Sequence, residues 1–173
     1  TGPAIGRPKS ATFRTLDIVG LDTFAHVTRN IYQNAPDDEQ RELFKVPEFV
    51  EAMLAKNLLG DKSGQGFYKK LGKGEIQALN LSSMEYGPRT KGKFPSLEMG
   101  KGITDLSERL RALTSATDRA GGFLWKTLSA ALVYSANRVP EISDDIVSVD
   151  NAMKWGFNWE LGPFEMWDAL GVE

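Results

Sequence analysis

The sequence predicts a mainly α-helical protein with one small β-hairpin. Apolar residues recur at three- and four-residue steps along most of the 173 residues, which is the spacing of amphipathic helices. Residues 66–81 break that pattern and read as strand, glycine turn and strand. Because a lone two-stranded hairpin is marginally stable in water, we expect this hairpin to pack on the helices.

Four helices are predicted before the hairpin. The first covers residues 8–19, and Gly20 is well placed to end it. Asp22 is the predicted cap of the second helix. Residues 37–44 form a short third helix that begins at an aspartate, and Pro47 suits the first turn of the fourth.

Helices return after residue 102. Asp105 precedes a short helix, and a long helix covers residues 119–139. Asp144 or Asp145 is expected to begin the next helix. A last helix lies within residues 162–171, between two glycines.

The chain is divided here into three segments. Residues 1–81 hold the first helices and the hairpin, 82–102 form a basic connection, and 103–173 hold the later helices. F-R-T-L-D-I-V-G-L-D at 13–22 resembles F-E-M-W-D-A-L-G-V-E at 164–173, and this sequence echo favours two copies of one helical unit, each incomplete. The chain begins without a methionine and ends after an apolar stretch, so we expect it to come from a longer polypeptide.

The composition excludes several classes of function. A net charge of −2 argues against a general nucleic-acid-binding protein. The absence of cysteine excludes disulfides and thiolate metal sites, and a single histidine excludes a multi-histidine metal site. No apolar run is long enough to span a bilayer and no signal peptide opens the chain, so we expect a cytoplasmic location.

The segment N-L-L-G-D-K-S-G-Q-G-F-Y-K-K at 57–70 looks like a phosphate-binding loop. Its glycines follow the lysine, however, and a strand rather than a helix comes next, so no helix N-terminus faces a phosphate. We expect Gly64 and Gly66 to supply positive φ angles for a turn. In the alternative interpretation, Lys62 contacts a phosphate group of a ligand.

Other candidate residues have simpler structural explanations. His26 lies in the middle of a helix without a second catalytic group in view, and we expect a structural or surface role. The paired aspartates at helix starts are explained by the helix dipole. An aromatic cluster is expected to pack between helices; its members are Trp155, Trp159, Phe164 and Trp167. The basic connection is a solvated loop or a contact for an acidic partner; its charged residues include Arg89, Lys91, Lys93 and Lys101.

Three stretches together resemble the C-terminal domain of 3-hydroxyacyl-CoA dehydrogenases. They are I-G-R-P-K-S-A-T-F-R-T-L-D-I-V-G-L-D-T at 5–23, D-K-S-G-Q-G-F-Y-K-K at 61–70 and A-M-K-W-G-F-N-W-E-L-G-P-F-E-M-W-D-A-L-G-V at 152–172. The resemblance implies an oxidoreductase of fatty-acid β-oxidation in which an NAD-binding Rossmann domain precedes the helical domain. Some members of the family are also fused to an enoyl-CoA hydratase module.

The resemblance implies that the catalytic His–Glu pair lies in the Rossmann domain, which this sequence does not contain. No G-x-G-x-x-G motif occurs here, and Lys126 stands where the family carries a substrate-binding asparagine. We therefore expect no catalytic, cofactor-binding or metal-binding residues in this chain and no activity of the chain alone. The resemblance implies NAD as the cofactor of the parent enzyme.

The resemblance also implies candidate substrate contacts and several partners. Thr12, Phe13 and Leu16 are expected near the acyl group, and Lys62 near a CoA phosphate. The expected partners are the Rossmann domain, the acyl-CoA substrate and, as one option, a second copy in a homodimer, with no nucleic acid and no membrane span. Two alternatives remain: a non-catalytic helical interaction module of a multienzyme complex, or an acyl-CoA-binding module.

Overall fold

Eight α-helices and three β-strands form the regular structure of residues 1–90 and 92–171, the residues that the computed structural model describes. The elements are α1 (Ala11–Val19), α2 (Leu21–Asn34), α3 (Glu48–Ala55), β1 (Tyr68–Lys70), β2 (Ile76–Asn80), β3 (Glu85–Pro88), α4 (Pro95–Gly100), α5 (Leu106–Thr114), α6 (Arg119–Asn137), α7 (Ile146–Phe157) and α8 (Pro163–Leu170). The mainly α-helical fold class is confirmed. Lys91 of the basic connection, and Val172 and Glu173 at the end of the sequence echo, lie outside the described residues.

The chain forms two compact units. We call Thr12–Lys91 the sheet unit, and Thr1–Ala11 together with Gly92–Glu173 the bundle unit. The division at residues 82 and 102, which was based on two copies of one helical unit, stays a prediction. Among the described residues, no helix is both long and apolar enough to cross a membrane.

The sheet unit packs α1, α2 and α3 against a three-stranded antiparallel sheet in the order β1-β2-β3. Leu21, Val50 and Met53 are fully buried in its core, and Phe67 and Leu79 join them from the sheet side. The hairpin is therefore confirmed, and it packs on helices as its marginal intrinsic stability requires.

The basic connection over residues 82–102 contains regular structure that the sequence analysis did not predict. Strand β3 extends the hairpin, with Leu79 of β2 opposite Tyr86 of β3, and α4 follows it. The strand has the sequence E-Y-G-P, whose glycine and proline are typical of turns, and a proline is tolerated here because β3 is an edge strand.

Two of the predicted helix caps in the sheet unit are wrong. Gly20, with φ 97°, precedes α2, so Asp22 lies inside the first turn rather than before it. Residues 41–44 form a 3₁₀-helix that Gln40 precedes, so Asp37 is not a cap. The Asp38 carboxylate instead accepts a hydrogen bond from the Gln40 backbone N–H at 2.7 Å.

The bundle unit has its core between α5, α6 and α8. Leu110, Leu113, Leu128 and Met166 are buried there, and Ile5 from the start of the chain completes the cluster. Three of its helices begin at aspartates whose carboxylates accept a backbone N–H of the first turn at 2.8–2.9 Å; they are Asp105, Asp118 and Asp145. Of the two aspartates expected to begin α7, Asp145 is the cap, and α5 begins after Asp105 as expected.

The expected burial of the aromatic cluster is wrong for Trp155, which is 81% exposed. Asp150 on the same helix is buried, and Trp155 follows it by five residues, about 140° around the helix axis. Trp155 therefore points away from the face that packs. Trp167 does pack against the core of the bundle unit.

The two adjacent glycines at the start of α6 differ in their surroundings. A Cβ atom on Gly121 would lie 2.1 Å from the Ala116 carbonyl oxygen, whereas a Cβ on Gly122 would meet nothing within 4 Å. Only the first glycine is therefore required by packing.

We expect Gly121→Ala to lower the free energy of unfolding by about 1–2 kcal/mol, because the backbone must shift to relieve the contact. Gly122→Ala is the matched control and should raise it by about 0.5–1 kcal/mol through helix propensity. Urea unfolding followed by tryptophan fluorescence measures both, since all four tryptophans lie in the bundle unit. Equal effects of the two substitutions would contradict this assignment.

Candidate functional site

The substrate-contact candidates from the sequence lie on α1 and on the loop of residues 60–67, both within the sheet unit. The Asp17 carboxylate joins these two segments. It accepts hydrogen bonds from the Phe67 backbone N–H at 2.8 Å and the Tyr68 backbone N–H at 3.0 Å. Asp17 is 1% exposed, and its burial raises the pKa of the carboxyl group, while the two hydrogen bonds act in the opposite direction.

The loop approaches α1 so closely that two glycines are required. A Cβ on Gly60 would lie 2.2 Å from the Asp17 carbonyl oxygen, and a Cβ on Gly66 would lie 2.1 Å from the Asp17 carboxylate. Gly64 has the expected positive φ of 76°, but Gly66 does not, so its predicted conformational role is wrong. The space that a phosphate would need at Gly60 and Gly66 is filled by α1.

Other polar groups of the loop form hydrogen bonds within the sheet unit. The Ser63 hydroxyl accepts a hydrogen bond from the Leu59 N–H at 2.9 Å and donates to the Gln65 carbonyl at 2.9 Å. The Tyr86 hydroxyl donates to the Gly66 carbonyl at 2.6 Å. The loop turns the chain into the sheet, as the sequence predicts, and its arrangement does not fit a dinucleotide phosphate.

Two ion pairs join the loop to the helices. Arg14 donates two hydrogen bonds to the Asp61 carboxylate, at 2.5 and 2.6 Å, which lower the pKa of Asp61. Lys62 lies 2.6 Å from the Asp22 carboxylate, and its hydrogen bond lowers the pKa of Asp22. Lys62 is therefore a half-exposed cation with a partner in place, rather than an unpaired one.

The structure does not gather the four substrate-contact candidates at one point. Thr12 is exposed, Phe13 is 43% exposed with its ring 4.6 Å from that of Phe67, and Leu16 is half-buried against the core. Lys62 contacts Gly20 beyond the other end of α1, about 12 Å along the helix axis from Thr12. Their predicted roles in binding substrate stay predictions.

Asp17, Arg14 and Asp61, which organise this region, were not identified from the sequence. One signal was available for Asp17, because it follows Phe13 by four residues and lies next to Leu16, which follows Phe13 by three. That spacing puts a carboxylate on an otherwise apolar face, where it must find hydrogen-bond donors.

The other candidates have ordinary surroundings. His26 is exposed on α2, and Lys126 is exposed on α6. In the basic connection, Arg89 lies over the Tyr68 ring and Lys101 pairs with Glu98 at 2.6 Å. Within residues 1–90 and 92–171, no group of three or more His, Asp or Glu side chains is arranged to hold a metal ion.

Comparison with known proteins supports the resemblance found in the sequence. Residues 3–70 match the model of the 3-hydroxyacyl-CoA dehydrogenase C-terminal domain. All 173 residues align, with 57% identity, to a Bacillus subtilis (strain 168) protein named as a probable 3-hydroxyacyl-CoA dehydrogenase. Over its whole length the chain is therefore similar to a 3-hydroxyacyl-CoA dehydrogenase, and residues 3–70 are similar to the C-terminal domain of that family.

Other relatives agree with this family. A Deinococcus radiodurans protein of the same name is 54% identical over 70 residues, which is 40% of this chain and 19% of that protein. A Rickettsia prowazekii protein, provisionally named as a fatty acid oxidation complex trifunctional enzyme, is 26% identical over 94% of this chain. The chain spans about a fifth of the length of these relatives, 22% for the Bacillus protein. No solved structure matches the chain significantly.

We expect Asp17→Asn to lower the free energy of unfolding by about 1–3 kcal/mol. Asparagine keeps one acceptor oxygen but places an NH₂ group against the other backbone N–H, which leaves a buried donor unsatisfied. Asp22→Asn is the control, because an exposed ion pair contributes little to stability. Urea unfolding followed by far-ultraviolet circular dichroism measures both variants. An Asp17 variant as stable as the Asp22 variant would refute the role of the carboxylate.

Proposed function

We propose that the chain is the helical portion of an NAD-dependent 3-hydroxyacyl-CoA dehydrogenase of fatty-acid β-oxidation, and that it has no catalytic activity alone. The whole enzyme transfers a hydride from the carbon that carries the 3-hydroxyl group of an acyl-CoA to NAD. The observation that supports this proposal most is the 57% identity over the full chain to the Bacillus relative.

In this proposal the sheet unit covers the acyl group and takes part in domain or dimer contacts. Its first two helices keep large apolar side chains at the surface, with Phe13 43%, Ile18 58%, Val19 50% and Val27 49% exposed. A surface of this kind is typical of an interface with another protein segment or of a ligand-binding surface. Phe13 is the candidate for acyl contact because its ring is partly exposed and packs against the Phe67 ring.

The surroundings of His26 and of the glycine loop support the proposed lack of activity. A hydride transfer from an alcohol needs a general base with an orienting partner. His26 is exposed on α2 and has no carboxylate within ion-pairing distance among the described residues. In the glycine loop, Asp17 occupies the space beside Gly60 and Gly66, which leaves no room there for a phosphate of NAD. The base and the cofactor site are therefore assigned to the preceding domain that the resemblance implies.

Calorimetric titration with NADH and with acetoacetyl-CoA, together with an assay of NADH oxidation, tests the proposal. We expect no binding of NADH, no turnover, and binding of acetoacetyl-CoA that Phe13→Ala weakens by about tenfold. Lys62→Ala should weaken it by about fivefold at most, because Lys62 already has an ionic partner. Lys70→Ala, at an exposed lysine of β1, is the control and should leave binding unchanged.

NAD-dependent turnover by the chain alone would overturn the proposed inactivity. Acetoacetyl-CoA binding that both variants leave unchanged would remove Phe13 and Lys62 from the substrate surface. If neither NADH nor acetoacetyl-CoA binds, the second candidate function, a helical interaction module, is favoured. The exposed apolar side chains of α1 and α2 also support that function.

A further inference from the structure

A cavity of about 310 Å³ lies within the bundle unit, between α6, α7 and α8. Its wall is largely aliphatic and includes Leu128, Leu132, Val149, Met153 and Met166. The volume lies at the lower end of the range for small-molecule sites, which are typically apolar with a few polar groups that fix the orientation of a ligand. The region has no part in the function proposed above.

Arg7 is one of two arginines in this wall. Its guanidinium lies over the Trp159 ring, with the central carbon 3.7 Å from the ring centroid. The Nε atom is buried and has no hydrogen-bond acceptor within the described part of the chain. Burial also lowers the pKa of this guanidinium, because it disfavours the charged form.

No carboxylate among the described residues forms an ion pair with Arg7. Arg138 lines the same cavity, but it pairs with Glu141 at 2.7 Å. Glu160 lies near the segment that carries Arg7, since its backbone N–H donates to the Gly6 carbonyl at 2.9 Å. The residue is nevertheless exposed to solvent. The cavity therefore combines apolar walls with one partly buried cation whose charge is not offset. Burial of such a cation is costly unless an anion pairs with it.

We propose that this cavity binds a small monocarboxylate with an aliphatic chain, its carboxylate on Arg7 and its chain along the walls formed by α6 and α7. A guanidinium fixed by stacking presents parallel N–H donors that match the two oxygens of a carboxylate. The apolar walls then stabilise the chain by its removal from water. Ala131 lines the cavity and is exposed, so it marks the opening.

The ligand is a free acid rather than its CoA ester. A thioester has no anionic head group for Arg7, and a CoA nucleotide exceeds the available volume. The inference does not rest on the proposed dehydrogenase role, because neither NAD nor acyl-CoA takes part in it. The two can therefore fail separately.

The experiment is calorimetric titration of the 173-residue chain with octanoate, with 1-octanol, acetate and octanoyl-CoA as comparison ligands. We expect one octanoate per chain, with at least tenfold weaker binding of 1-octanol, which lacks the charge, and of acetate, which lacks the chain. Octanoyl-CoA should bind no more tightly than 1-octanol. Quenching of tryptophan fluorescence that Trp159→Phe abolishes would place the ligand beside Arg7.

Two variants and a control locate the site. Arg7→Gln should weaken octanoate binding at least tenfold while leaving 1-octanol unchanged. Ala131→Phe should block the opening and abolish binding, and it should fold because position 131 is exposed. Arg119→Gln, at an exposed arginine that begins α6, should bind as the natural chain does. The proposal is overturned if octanoate does not bind, if 1-octanol binds equally well, or if Ala131→Phe leaves the affinity unchanged.

Discussion

The sheet unit depends on one buried carboxylate. Asp17 is held by α1 and accepts the backbone N–H groups of Phe67 and Tyr68, at the point where the loop enters β1. A charged group is costly to bury, so it is tolerated only where donors are fixed to meet it. Glycine is therefore required at positions 60 and 66, because a side chain at either position would overlap the Asp17 backbone or its carboxylate. The helices and the sheet are thereby held in one arrangement, and Phe13 is placed against Phe67.

The regular elements could be predicted from the sequence because their signals are local. Aspartate caps at 105 and 145, the helix period and the glycine-centred hairpin each depend on neighbouring residues. Strand β3 was missed because it forms only by pairing with β2, and its glycine and proline are typical of turns. Burial at Trp155 was wrongly expected, since composition alone does not tell which face of a helix packs.

The candidate site was harder to predict than the fold, because it is built by contacts distant in sequence. The Asp17 bonds span about fifty residues, and so does the Arg14–Asp61 pair. A motif search finds the lysine and glycines of residues 60–67 but not the helix that occupies the space beside them. The loop resembles a phosphate site in its residue types, yet the approach of α1 decides its role.

The two halves of the sequence echo show how far a shared pattern determines structure. Both segments are helices, α1 and α8, and the glycines that follow them, Gly20 and Gly171, have φ angles of 97° and 96°. The aspartates that the echo aligns differ, because Asp17 is buried while Asp168 is exposed. The helix and its ending thus follow from local sequence, whereas the carboxylate becomes a structural group only where a loop supplies the donors.

Amide hydrogen exchange of the natural chain, followed residue by residue by NMR, tests the central role of Asp17 most directly. If the carboxylate holds the loop to α1, the Phe67 and Tyr68 amides should exchange as slowly as that of Leu79, which is paired within the sheet unit. Exchange of these two amides at the faster rate of the Gly64 amide, in the exposed part of the loop, would show that the loop opens without unfolding. That result would contradict the account.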